Sequence, residues 1–447
     1  MATTADEFAP VRRWRRPIVR TVTAEPEAIN RTIVSDRAFL VLVTVMLMFA
    51  YRDMLTSSLR YYLSLVHLGV LWFVPDILSF GIMGYFTWNI ALKRRSPFAI
   101  LLVLSFTFSM TVGIIFMQTN LFSMFSAAKL FMPFFVGASM VGRSVTELRW
   151  VTRALIALFV ISTVGVLLEP HISYPWLGQA LDNFGQVKKV GRIWWAGGGK
   201  IRYGGFAGES TMASYMMLIP YAIVHFRFSR LVNVLLWIPI YYAITLTTNK
   251  TALIVFFFFI TWYLYTHFLS ADPTRLLRRI AALSFLTIPI VFIAMVVLSG
   301  VDLTSVDPVL FSLQDRIQHT WGFPFIWMSE NYPAGLFIGC GMGCFTYPMQ
   351  YTKLASLWVP VDNFYLSTLA MMGLPFAVFV IGMFTAVYKS ASRQKLLLIA
   401  MVNFYSVTVQ GYGPSTCAIL LAYAFSDMFL PSGRNWMRKF ARQPSAS

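Results

Sequence analysis

The sequence predicts an all-α polytopic membrane protein of about twelve transmembrane helices with two long loops on one side of the bilayer. Three observations lead there. Of 447 residues, 57% are hydrophobic and only 12% charged, against about 25% charged in a soluble domain. The apolar residues come in long blocks, each near the ~20 helical residues that cross the hydrocarbon core. Lysines and arginines sit mostly at block ends, where the positive-inside rule puts them. The net charge of +18 therefore reads as topology and not as a nucleic-acid surface.

In chain order, the first 37 residues are polar and basic, with Arg12, Arg13, Arg15, Arg16 and Arg20. They lack a short apolar core followed by a small-residue cleavage site, so they read as a cytoplasmic tail. A single bundle over 38–430 follows. Its apolar blocks are 38–51, 61–92, 97–117, 121–141, 151–168, 205–225, 231–247, 251–269, 279–299, 362–388, 395–410 and 414–430. Block 61–92 is too long for one plain helix, and Pro75-Asp76 interrupts it. Lys93, Arg94 and Arg95 should share the cytoplasmic side with the N-terminal tail, so this block counts as one broken span. The remaining blocks then alternate. Arg143, Arg149 and Arg153 fall inside, as do Arg227 and Arg230; Arg275, Arg278 and Arg279; and Lys389, Arg393 and Lys395. A second cytoplasmic tail at 431–447 holds Arg434, Arg438 and Lys439.

Two long segments, 169–204 and 300–361, fall on the outer, periplasmic side. Loops of that length in compact folds are usually functional. They carry Lys188, Lys189, Arg192, Lys200, Arg202, Arg316 and Lys353, and a short outer turn adds Lys250. Cations translocated against the positive-inside bias suggest an anion site at the outer surface.

Each candidate has a plain reading beside the functional one. Arg202 lies in Ile201-Arg202-Tyr203-Gly204-Gly205-Phe206, where the loop re-enters the membrane. It reads as a phosphate clamp whose glycines let a ligand approach the backbone, or as a snorkelling anchor. Lys250, in a tight turn, reads as a second phosphate contact or an interfacial lysine. Leu313, Ile317 and Trp321 repeat every four residues, as in an amphipathic helix lying on the membrane. On that helix Arg316 and His319, three apart, should face the same way. They read as a clamp and a proton carrier, or as a solvated face with an Asp315–His319 pair.

Asp362 reads as a general base or as the N-cap of the helix behind it. Asn363 and Tyr365 would orient it or bond a sugar. Trp194, Trp195, Trp321, Trp327 and Trp358 read mostly as interfacial belts. Cys340 and Cys344 share a loop; they would pair in an oxidising compartment, or are simply small residues in a tight turn. Cys417 is the third cysteine.

Other chemistries find no support in the pattern. No Asp-x-Asp lies in an outer loop for a divalent metal, so no metal or other cofactor is expected. No Gly-rich loop ending in Lys-Ser or Lys-Thr suggests ATP coupling. No outer serine has a convincing histidine and acid for hydrolysis. Charges inside spans look few, which argues against a transporter.

The order of these features resembles the O-antigen polymerase and O-antigen ligase superfamily. It runs from Arg202, Gly204 and Phe206, through Asn249-Lys250 and Arg316, to the turn Gly339, Gly341 and Gly343. Asp362-Asn363, Tyr365-Leu366 and Gly373 complete it. The resemblance covers roughly the second half of the chain. It implies a C-type glycosyltransferase-like architecture in the bacterial inner membrane, acting on undecaprenyl-pyrophosphate-linked oligosaccharide without metal or nucleotide. It implies Arg202, Lys250 and Arg316 as pyrophosphate ligands and Asp362 or His319 as base. It also implies a chain-length regulator and a flippase of the same pathway as partners. Ligases of the family carry histidine where Asp362 stands, so this chain resembles the exopolysaccharide and capsule polymerases more. A ligase onto lipid A core or protein, and a lipid-linked sugar transporter or flippase, are the alternatives.

Overall fold

In the computed structural model the described residues are 34–117, 120–183, 186–189, 194–195, 200–268, 272–305, 307, 310–359, 361–409, 412 and 414–430, with 181–183, 186–189 and 194–195 described as backbone alone. The basic tails at 1–33 and 431–447 lie outside them, as do the side chains of Lys188, Lys189, Arg192, Trp194 and Trp195.

The chain is helical almost throughout. α1 (Asp36–Met54) starts at Ser35, whose hydroxyl caps the Ala38 amide at 3.3 Å. It turns through 88° into α2 (Thr56–Leu65). A short turn, Gly69–Phe73, leads into α3 (Val74–Phe86), and a π-helical turn extends that span to Leu92. α4 (Pro97–Met117), α5 (Leu121–Ala138) and α6 (Arg149–Leu168) follow. The first long loop holds two small antiparallel hairpins. β1 (Ala180–Asn183) pairs with β2 (Gln186–Lys189), and β3 (Trp194–Trp195) with β4 (Ile201–Arg202).

α7 (Ser210–Val224), α8 (Arg230–Thr247) and α9 (Lys250–Phe268) come next. α10 (Pro273–Leu283) and α11 (Thr287–Leu298) join into one long span. The second long loop contains α12 (Phe311–Asp315), α13 (Phe323–Asn331) and α14 (Gly335–Ile338). α15 (Phe364–Met372), α16 (Leu374–Lys389), α17 (Arg393–Tyr405) and α18 (Ser415–Phe425) close the bundle.

Among the described residues seven helices are long and apolar enough to cross a membrane, and the bent α1–α2 pair would make an eighth. Block 61–92 divides differently from the sequence expectation. Pro75 and Asp76 sit in the first turn of α3 and start that helix instead of interrupting it. Proline is tolerated there because the first amides have no partner within the helix. The block's actual break precedes Gly69. Block 362–388 breaks at Gly373, whose φ of +63° ends α15.

Burial sorts the helices into two shells. α7 and α18 are buried on nearly every residue. α8, α11 and α16 instead turn large apolar side chains outward, among them Ile238, Val296 and Ile381. An apolar girdle of this extent is a liability in water, but in hydrocarbon it costs nothing. The helices meanwhile satisfy their own backbone polar groups. Close approach inside the bundle uses small residues. A Cβ on Gly137 of α5 would lie 1.9 Å from the Ile419 carbonyl oxygen of α18.

Candidate functional site

Asp362 is the last residue but one before α15, and Asn363 is the cap. The Asn363 Oδ1 accepts the Leu366 amide at 2.9 Å, and its Nδ2 donates to the Val407 carbonyl at 3.0 Å. The Phe364 amide donates to the Ser406 carbonyl at 3.0 Å. The segment before α15 is thus pinned to the end of α17, and Asp362 has no capping duty. This corrects the reading of Asp362 as an N-cap.

What holds Asp362 is the helix after α11. Arg316 Nε donates to Asp362 Oδ2 at 2.6 Å, and Trp321 Nε1 donates to Oδ1 at 2.8 Å. The reach of both follows from a local irregularity. Residues Arg316–Trp321 form a π-helical turn, whose wider i→i+5 spacing brings residues five apart onto one side. Trp321 is fully buried and belongs to the site rather than to an interfacial belt. Arg316 Nη1 donates to the Ser312 carbonyl at 3.1 Å and to its hydroxyl at 2.5 Å. Nη2 makes no hydrogen bond among the described residues, and the side chain is 28% exposed.

His319 does not join them. It is 70% exposed and lies 3.3 Å from Asp315, the solvated pair that was its plain reading. The four-residue stripe survives only in part, because Leu313 is exposed while Ile317 and Trp321 are buried.

Arg202 comes to the same place from the first loop. Burial, followed by the neighbouring Arg316 charge, pushes its pKa down. Its Nε is buried without a hydrogen-bond partner among the described residues. Two guanidinium groups close enough to repel, one with an unanswered N–H, make a place that favours an anion. The turn behind Arg202 is fixed by Glu169, at the end of α6. Its Oε2 accepts the amides of Gly204 at 2.8 Å and Gly205 at 2.6 Å. Burial holds the Glu169 carboxyl above its usual range, opposed by those two bonds. This packing requires glycine at both positions. A Cβ on Gly204 would lie 2.4 Å from the Glu209 amide, and one on Gly205 2.9 Å from that of Val166.

Lys250 is the exposed first residue of α9. Asn249 before it accepts the Ala252 amide at 3.0 Å and donates to Ser214 at 2.9 Å. Thr251 bonds Thr408 at 2.5 Å, next to the Val407 carbonyl that holds Asn363. Tyr203 reaches the same corner through its amide, 3.2 Å from the Leu246 carbonyl. Arg202, Lys250, Arg316 and Asp362 therefore lie at one end of the bundle.

Tyr365 is elsewhere. It is buried, and its hydroxyl donates to Asn403 at 2.5 Å, so it is an internal strut rather than a sugar contact. Gly339, Gly341 and Gly343 all have positive φ and shape a turn wedged between α4 and α15. The Cys340 and Gly341 amides donate to the Ala370 and Met371 carbonyls, and the Met342 amide to Ser109. The loop thereby satisfies carbonyls freed where α15 stops. Cys340 and Cys344 are disulfide-bonded in this turn, and Cys417 is a buried free thiol.

Asp362 sits in an environment that makes it a usable base. Burial raises its pKa above the ordinary carboxylate range, with Arg316 and Trp321 pulling the other way. Each carboxylate oxygen has more than one acceptor direction, so both bonds leave room for a proton.

One cluster escaped the sequence reading. Arg52 of α1 donates to Asp76 of α3 at 2.7 Å and to Ser415 of α18 at 2.8 Å. Lys129 of α5 lies 3.8 Å from Asp76. Asp53 accepts the amide and hydroxyl of Thr416 at 2.7 and 2.8 Å. Charges inside the bundle are thus more numerous than the sequence suggested. Arg52 and Asp53 follow the first apolar block, whereas Asp76 and Lys129 lie within the blocks 61–92 and 121–141.

Compared with known proteins, the chain matches no family model, no curated protein and no solved structure.

Proposed function

We propose that this protein is an inverting, metal-independent polysaccharide polymerase acting on undecaprenyl-pyrophosphate-linked oligosaccharide repeat units. The reading takes the bundle as twelve spans in a bacterial inner membrane, with both termini cytoplasmic and Asp362 at the periplasmic face. The observation that carries it is the pairing of a carboxylate free of capping duty with two neighbouring guanidinium groups, at one end of an apolar bundle. The Cys340–Cys344 bond supports the sidedness, since disulfides persist in oxidising compartments.

The chemistry follows from the charges. The terminal sugar hydroxyl of an incoming repeat unit attacks the anomeric carbon of the donor chain. Asp362 takes the hydroxyl proton as the new carbon–oxygen bond forms. The bond to pyrophosphate breaks, and its electron pair leaves on the phosphate oxygen. Arg202 and the unused edge of Arg316 stabilise that growing charge, with Lys250 as a further cation. The anomeric configuration inverts.

The test is purified protein in nanodiscs with a synthetic undecaprenyl-pyrophosphate repeat unit and no metal. A ladder of pyrophosphate-linked oligomers supports the reading. Transfer seen only after lipid A core is added would make it a ligase. The Arg52–Asp76–Lys129 cluster favours a second reading, a lipid-linked sugar transporter, because ionisable groups within a bundle often line a transport path. Movement of substrate without any new glycosidic bond would select that reading.

A further inference from the structure

The opposite end of the bundle contains a cavity of about 460 Å³ that the polymerase reading does not use. Four cations line it, Arg143, Arg227, Arg393 and Lys395, against two carboxylates, Glu147 and Asp427. Both carboxylates are committed. Arg143 holds Glu147 at 2.8 Å, and Lys395 holds Asp427 at 2.6 Å.

The other two cations have no such partner among the described residues. Arg227 Nη2 donates to the Thr146 carbonyl at 3.2 Å, and Arg393 Nε to the Thr274 hydroxyl at 2.7 Å. Arg393 also feels Asp272, but from beyond ion-pair distance, and Asp272 pairs with Arg275 at 3.5 Å. Two positive charges around one cavity thus have no ion pair among the described residues. The wall they share includes Ser392 and Gln394, the cap and second residue of α17. A helix start adds its own partial positive charge there.

The positive-inside rule explains why cations collect at this end of the spans. It does not require that segments distant in sequence aim them at a common cavity with too few carboxylates. The volume falls within the range of small-molecule sites, about 300–1,000 Å³. We infer that this cavity is a second anion site, one that binds a phosphate group through Arg227 and Arg393. The phosphate belongs to a lipid headgroup or to a soluble phosphate-bearing molecule. α17 runs from this cavity to the Val407 corner that anchors Asn363, so one helix of about 20 Å separates the two sites.

The experiment uses the full chain in phosphatidylcholine nanodiscs and inorganic pyrophosphate as probe, with binding read by calorimetry. The Arg202→Ala/Arg316→Ala double variant isolates the cavity from the site at Asp362. In that background pyrophosphate binding persists. Adding Arg227→Gln and Arg393→Gln weakens it at least tenfold, while Arg227→Lys/Arg393→Lys retains most of it. These arginines hold no buried carboxylate, so their removal leaves no buried charge unpaired, and the melting temperature serves as the control.

A parallel arm measures phosphatidylglycerol retained by the protein in native mass spectrometry. Retention of the lipid without pyrophosphate binding assigns the headgroup source, and pyrophosphate binding assigns the soluble one. Binding of neither probe, or binding indifferent to the Arg227 and Arg393 substitutions in well-folded protein, overturns the inference. Loss of the oligomer ladder alone bears on the polymerase reading and leaves this one untouched.

Discussion

Arg316 Nε and Asp362 Oδ2 meet at 2.6 Å although 46 residues separate them in sequence, and each side chain keeps just over a quarter of its surface exposed. The pair is therefore neither a buried strut nor a solvated surface bridge. It orients the carboxylate through Nε, while Nη1 is held by Ser312 and Nη2 makes no hydrogen bond among the described residues.

This geometry separates the two arginines experimentally. Arg202 Nε has no partner among the described residues, so Arg202→Ala should leave the melting temperature within about 2 °C while slowing polymerisation ~10²–10³-fold. Arg316→Ala should do both kinds of damage. It removes the same order of transition-state stabilisation and also strands Asp362, at a cost of about 1–2 kcal/mol once its partial exposure is allowed for. Ladder assays beside thermal melts of the same preparations give the comparison. Equal melting behaviour in the two variants would contradict the assignment.

Trp321 gives a prediction about pH. Burial raises the Asp362 pKa, and the indole N–H opposes that rise by bonding the charged form. The basic form of Asp362 is lost as pH falls through the raised pKa, so activity should have an acidic limb above the ordinary carboxylate range. Trp321→Phe keeps an aromatic ring, though a smaller one, and removes the bond. The folded-state pKa must then rise, and the acidic limb of the rate profile must move to higher pH. A limb that stays put, or moves down, would count against Asp362 as the base.

Much of this arrangement was legible in the sequence. Long apolar blocks mark the helices, and the cations of the long loops and short turn mark Arg202, Lys250 and Arg316, which the fold collects at one end. Other parts depend on geometry that periodicity does not encode. Asp and Asn are both good caps, and only the backbone at Asn363 decides which of Asp362 and Asn363 serves. Arg316 and Trp321 converge through a π-helical turn, which an α-helical spacing does not anticipate. Glu169 reads as a lone acid at the end of a span until Gly204 and Gly205 fold back onto it. Arg52 follows the first block and Asp76 lies within the second, and they become a pair only when α1 and α3 pack.

The Gly-rich turn should be intolerant in a position-dependent way. Gly339 has φ +80°, and an added Cβ would lie 2.2 Å from the Met371 carbonyl oxygen. That oxygen is already fixed by Gly341 at 3.1 Å and Ser109 at 2.9 Å, so it cannot yield. Gly339→Ala should cost about 2–4 kcal/mol through strain and overpacking together. Gly81→Ala, in α3 with nothing within 4 Å of its Cβ, should cost nothing. Melting temperatures of the two purified variants would test the contrast.

The disulfide offers a test of sidedness that does not depend on activity. Cys340 and Cys344 are bonded, and Cys417 is a buried free thiol. Intact protein unfolded under non-reducing conditions should therefore take up a single alkyl group, on Cys417, and three after reduction. Protein made in an oxidising periplasm should show this pattern, and protein made in a strain unable to form periplasmic disulfides should label at all three. Closing so short a loop constrains the unfolded chain by only about 2 kcal/mol. The Cys340→Ser/Cys344→Ser variant should accordingly fold, with a lowered melting temperature, and keep the ladder. Three labelled cysteines in protein from the oxidising strain would place this loop in a reducing compartment. Asp362, only 18 residues beyond Cys344 and with no long apolar block between, would then face the wrong side for a lipid-linked donor displayed in the periplasm.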